Sequence, residues 1–236
     1  MIGQGHWIPP RAGFCAQIRL IRVVPHFLAF AMLVLPAAQA EVEEAGNYEA
    51  PSRIVEGLHE SLVHVMQRAS ELGFPGRYAE LEPIIRAGFD TPLIVKVILS
   101  RYWNEITDLQ KEEFIELFTR LSIATYASRF DGFRGEQFVQ TSVEPLKKGR
   151  LLIRTELQRP NDGPVHLDYL MHQNDDGQWR IISVIADGVN DLSLKRAEYA
   201  AVIKNRGYAG LVSDIEVKIR DMGKGSDEPA NIVQGN

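Results

Sequence analysis

The chain has 236 residues, 45% of them hydrophobic and 24% charged, with a formal net charge of −5. That composition excludes a disordered chain, a collagen-like repeat and a polytopic membrane protein. The acidic balance also argues against nucleic acid as a partner, because phosphate backbones are bound by clustered basic side chains.

The first 40 residues differ from the rest. Arg19 and Arg22 precede an apolar run from Val23 to Leu35, Pro36 leads into Ala38-Gln39-Ala40, and Glu41 opens an acidic stretch. This positive, apolar, A-x-A order is that of a secretory signal peptide, so residues 1–40 are expected to be removed. The run falls short of the ~20 apolar residues a membrane span requires. Cleavage leaves 196 residues, enough for one domain with a sizeable core. Cys15, the only cysteine, departs with the leader, so the mature chain has neither disulfide nor thiolate nucleophile. The leader carries three of the 26 basic residues and none of the 31 acidic ones, which makes the mature charge −8.

Residues 41–50 are acidic and small, a predicted flexible linker, and a single domain is expected over 51–222. From Ser52 the apolar residues Ile54, Leu58, Leu62, Met66, Ala69 and Leu72 recur at three or four, one face of a helix ending at Gly73. A short helix is predicted over Arg77–Ala87, and another over Thr91–Trp103 with Pro92 in its first turn. Thr107-Asp108-Leu109-Gln110 reads as a capping box for a long helix. Phe114, Leu117, Phe118, Leu121 and Thr125 mark one face of it, and Ile123, Tyr126, Ala127 and Phe130 make the stripe wider than a single partner requires.

At Gly132 the period changes from 3.6 to 2. Gln137–Glu144, Gly149–Arg159, Val165–Gln173 and Gln178–Asp187 read as four strands joined by short links such as Asn161-Asp162-Gly163, which permit only an antiparallel meander. In the third strand Val165, Leu167, Tyr169 and Met171 share one face, and His166, Asp168 and His172 the other. Trp179, Ile181 and Ile185 extend the apolar side in the fourth. Two helices follow, Leu194–Asn205 and Ala209–Met222, separated at Gly207, and a polar tail over 223–236 is expected to be disordered. Helices, then strands, then helices make an α+β domain: a curved antiparallel four-stranded meander covered by N- and C-terminal helices.

Chemistry-bearing patterns are sparse. Of the four histidines after residue 40, His59 and His64 are five apart on a helix and diverge by about 140°. His166 and His172 lie roughly 20 Å apart along a strand. Neither pair makes a metal site. Asp187, beside Gly188, and Asp168, near His166, are the two candidates for a general base in a small enzyme acting on an apolar substrate. Against this, Asp-Gly commonly ends a strand by turn geometry, and Asp168 points away from the apolar face. No G-x-S-x-G elbow or phosphate-binding glycine loop is present. What stands out is an excess of apolar faces, which periodicity cannot divide between packed core and ligand cavity.

Several segments resemble a known family. Leu99-Ser100-Arg101-Tyr102-Trp103, Thr107-Asp108-Leu109-Gln110, Glu113-Phe114, Leu117-Phe118 and Ala124-Thr125-Tyr126-Ala127 are similar to the core of the MlaC or toluene-tolerance family of periplasmic lipid carriers. The likeness resumes at Leu167-Asp168-Tyr169-Leu170, Trp179-Arg180, Ile185-Ala186-Asp187-Gly188-Val189 and Arg206-Gly207-Tyr208-Ala209-Gly210-Leu211. Arg129-Phe130-Asp131-Gly132-Phe133 and Gly135-Glu136-Gln137-Phe138 look like the hopanoid-associated HpnM branch, while Val189-Asn190-Asp191 departs from the Val-Ser common in the wider family.

The resemblance implies a sheet like that of nuclear transport factor 2, with helices enclosing an apolar cavity for lipid tails. It also implies a non-enzymatic carrier of phospholipid or hopanoid, without cofactor. Such a carrier shuttles in the periplasm between an inner-membrane transporter and an outer-membrane acceptor. From their facing, the residues expected to meet the tails are Val97, Ile98, Phe114, Phe118, Leu121, Ile153, Leu167, Tyr169, Met171, Trp179 and Ile181. Burying about 30 methylenes is worth on the order of 24 kcal/mol, so lipid would pass by docking rather than through water.

Overall fold

In a computed structural model, residues 48–225 are described. The expected leader, most of the expected linker and the end of the tail lie outside that range. Helix α1 (Glu49–Gln67) buries Leu58, Leu62 and Met66 of the expected face, with Val55 and Val65 buried beside them. It starts inside the segment read as a linker and stops at Arg68 instead of running to Gly73. There the Arg68 guanidinium donates to Glu71 and Glu80, tying the end of α1 to α2 (Ala69–Gly88). Gly73 interrupts α2 with φ 57° and ψ −175°, a region open in practice only to glycine. Past the break, buried Arg77 donates to the carbonyls of Ala69 and Ala127 and so links α2 to the helix that ends nearby.

Helix α3 (Thr91–Leu99) is capped by the Asp90 carboxylate, which accepts from the Leu93 N–H. It gives way at Ser100 to a 3-10 turn (Ser100–Asn104) where a continuous helix to Trp103 was predicted. The capping box forms: in front of α4 (Asp108–Arg129) the Thr107 side chain accepts from the Gln110 N–H, and the Gln110 side chain accepts from the Thr107 N–H.

Strands β1 (Gln137–Leu146), β2 (Arg150–Arg159), β3 (Asp162–Gln173) and β4 (Trp179–Ala186) pair in sequence order, all antiparallel. A two-residue β5 (Val189–Asn190) extends the expected meander to five strands. Helix α5 (Asp191–Gly225) then runs back, broken at Gly207 with φ 73° and ψ 176°. The fold is α+β, as expected.

One strand face differs from expectation. Met171 pairs with Ile181, but Leu170 pairs with Ser183 and Tyr169 with Val184, because β4 takes up an extra residue at that point. A one-residue slip exchanges the faces of everything beyond it. Ile185 therefore lies opposite Asp168 on the outer face, and Val184 and Ala186 take the inner positions that simple alternation assigned to Ile185.

Two cores result. One joins α1, α2 and the second half of α4 to the sheet through Leu58, Leu62, Leu81, Ile123, Ile153, Met171 and Ile181. The other joins α3, the first half of α4 and α5 through Val95, Ile98, Phe114, Leu121, Tyr199 and Leu211. Helix α4 serves both, which accounts for its wide apolar stripe.

Candidate functional site

The inner face of the sheet is divided along the strands. At one end Leu151, Met171 and Ile181 stand side by side and are sealed into the first core. At the other end Leu157 faces Val165, and Leu167 faces Thr155 and Ala186, with no helix pressed fully against them. Tyr169, between Ile153 and Val184, stands at the boundary.

The open end forms one wall of a pocket of about 450 Å³. Opposite it, α4 supplies Phe118, Leu121, Ser122, Thr125, Tyr126 and Arg129, and Phe130 follows them. Helix α3 adds Ile94 and Ile98. The start of α5 adds Leu192, Leu194 and Lys195, and β5 adds Val189. The lining is mainly aliphatic and aromatic, with Tyr126 stacked parallel on Phe130 at 5.9 Å and edge-on to Phe89 at 6.0 Å. Val189 and Leu194 are exposed large apolar side chains within the lining.

Most polar groups in the lining are already engaged. Ser122 and Thr125 donate to the Phe118 and Leu121 carbonyls at 2.9 and 2.7 Å. The Tyr169 hydroxyl shares a 3.0 Å hydrogen bond with His59 Nε2 behind the wall. Lys195 pairs with Asp191 at 3.0 Å. Burial pushes the Tyr126 phenol up; the Arg129 guanidinium opposes that shift and the Asp191 carboxylate adds to it, so both charges act on this hydroxyl. Among the described residues no group of three or more His, Cys, Asp or Glu side chains is arranged to hold a metal ion, and no helix is long and apolar enough to cross a membrane.

The family model described as MlaC protein matches residues 56–217. The chain belongs to the MlaC family. A solved structure of a phospholipid-binding protein from Ralstonia solanacearum, in complex with a phospholipid, has a similar fold, with a TM-score of 0.64 at 18% identity. The match covers 73% of this chain and 98% of that one.

In this MlaC-family chain, five of the residues read from sequence as tail contacts are brought together in the pocket: Ile98, Phe118, Leu121, Leu167 and Tyr169. The other six lie elsewhere. Ile153, Met171 and Ile181 are fully buried in the first core, and Trp179 packs against its edge. Phe114 is sealed in the second core, and Val97 is 43% exposed on the outside of α3. A side chain that faces inward does not thereby line the pocket.

Sequence reasoning did not single out Tyr126, Arg129 and Phe130 as site residues, nor the α5 wall. Tyr126 and Phe130 were visible only as the widened edge of the α4 stripe. Val184 and Ala186 had no signal, because Ile181–Ile185 is apolar on both parities and the bulge leaves no local mark.

The two carboxylates considered as bases have structural partners and lie outside the pocket lining. Asp168 pairs with Arg154 at 2.8 Å on the outer face. Asp187, at φ 47°, accepts from the His166 N–H at 2.9 Å and its own N–H returns to the His166 carbonyl, which anchors the β4–β5 turn to β3.

Proposed function

We propose that this chain is a periplasmic lipid carrier that holds lipid tails in the pocket between the sheet and α3, α4 and α5. In this reading it moves lipid between an inner-membrane transporter and an outer-membrane acceptor. The observation that carries it is the division of the inner sheet face: half is packed as core, and half is left open before an aliphatic and aromatic wall whose serine, threonine and lysine groups are internally bonded. An apolar site with few free polar groups is built for an apolar ligand. Family membership and the phospholipid bound to the Ralstonia solanacearum protein support the same conclusion. Residence in the periplasm rests on the family and on the leader-like order of residues 19–40.

Each methylene buried in the pocket is worth ~0.8 kcal/mol, so even a single chain of about 15 contributes on the order of 12 kcal/mol, enough to make escape into water slow. Transfer by docking follows from that barrier.

The test is mass spectrometry of an organic extract of the purified protein. A stoichiometric lipid, phospholipid or hopanoid, is the expected result. An extract free of lipid, from protein that also takes up none when offered, overturns the reading.

A further inference from the structure

Two polar groups in the pocket lining are not engaged like the rest. Among the described residues the Tyr126 hydroxyl has no hydrogen-bond partner, and Arg129 makes neither hydrogen bond nor ion pair. They stand three apart on α4, where the Cβ atoms of such a pair lie about 5–6 Å apart on one face, and both side chains line the pocket. Tyr126 is half-buried and held by its ring contacts to Phe130 and Phe89, so its hydroxyl is oriented before any ligand arrives. Arg129 ends α4 and is exposed, at the edge of the pocket. Asp191, the carboxylate in the lining, is neutralised by Lys195, which leaves Arg129 as the net charge there.

Resting on the carrier reading, we infer that Tyr126 and Arg129 form an anion subsite at the pocket edge, so that the preferred ligand is a tail carrying a phosphate or carboxylate and not an uncharged polycyclic or neutral glyceride. A tail lying against Phe118, Leu121 and Leu167 brings its head to this edge, where a planar guanidinium and a phenolic O–H donate to the same anionic oxygens.

The experiment uses the delipidated full-length protein and three single-chain probes with the same tail: palmitate, palmitoyl lysophosphatidate and monopalmitoylglycerol, with affinities from calorimetry at low salt. The expected result is about tenfold tighter binding of the two anions than of the glyceride, the usual size of a charge-assisted hydrogen bond. Arg129→Gln removes that preference by weakening the two anions more than the glyceride, Tyr126→Phe removes part of it, and added salt reduces it. A larger loss for lysophosphatidate identifies a phosphate head, and a larger loss for palmitate a carboxylate. Should Tyr126→Phe fold poorly, Arg129→Glu serves instead and inverts the preference. Equal wild-type affinity for all three probes, or an equal loss for all three in Arg129→Gln, overturns the subsite while leaving the carrier intact. Failure of all three to bind also overturns the subsite, and the carrier reading is then decided separately by the lipid extract.

Discussion

The Tyr169 hydroxyl meets His59 Nε2 at 3.0 Å, joining the pocket wall to α1 through the first core. Phe138 stacks on the His59 ring at 4.0 Å, and the histidine is only 8% exposed. Burial lowers its pKa to about 4.

This pair makes stability depend on pH. Because the folded pKa lies below the ordinary 6.5, the unfolded chain binds the proton more readily, so stability is complete above about 6.5 and is lost as pH falls toward 4. The expected loss from His59 is roughly 3 kcal/mol across that window. Urea unfolding of wild type and His59→Gln at several pH values checks it. The variant should be less stable at pH 7.5 and show a flatter slope between 6.5 and 4; an unchanged slope counts against the assignment.

Leu167 and Ile181 separate pocket from core. Leu167 is half-buried in the pocket lining, whereas Ile181 is completely buried in the first core. Leu167→Asp should abolish lipid co-purification with a small change in the denaturation midpoint. Ile181→Ala should cost about 2–5 kcal/mol of stability and leave the folded fraction loaded. Lipid retained in Leu167→Asp would remove this residue from the site.

Gly207 divides α5 at a backbone geometry that alanine avoids, and a Cβ there meets nothing within 4 Å. The cost of Gly207→Ala is therefore backbone strain alone, about 1–3 kcal/mol. A thermal midpoint equal to wild type would mean that α5 accepts a continuous path through this residue.

The capping box before α4 offers a local control. Thr107→Ala removes the acceptor for the Gln110 N–H, at an expected cost of about 1 kcal/mol. Because the box is remote from the pocket lining, lipid content should not change. A stability change with altered lipid loading would indicate that the position of α4 sets the pocket.

Local chemistry made much of this legible in advance. The capping box, the break at Gly207, the strand alternation from Val165 to Met171 and the hairpin-only connections follow from neighbouring residues, and all appear in the structure. The helical residues at the end of the expected linker and the 3-10 turn after Leu99 moved element ends by a few residues without altering the architecture.

What the sequence determined by itself was the α+β order, the antiparallel meander, the inward face of β3 and, through ordered motifs, the family. Only the tertiary structure decided which inward residues are sealed and which are left facing space. That depends on where α3, α4 and α5 cross the sheet, and periodicity is blind to it because Ile153 in the core and Leu167 in the pocket occupy equivalent positions on the same pleated face. It also turned the α4 face that carries Tyr126 and Arg129 to the pocket and moved Val184 inward in place of Ile185, since a bulge is set by long-range pairing and not by the residues that form it.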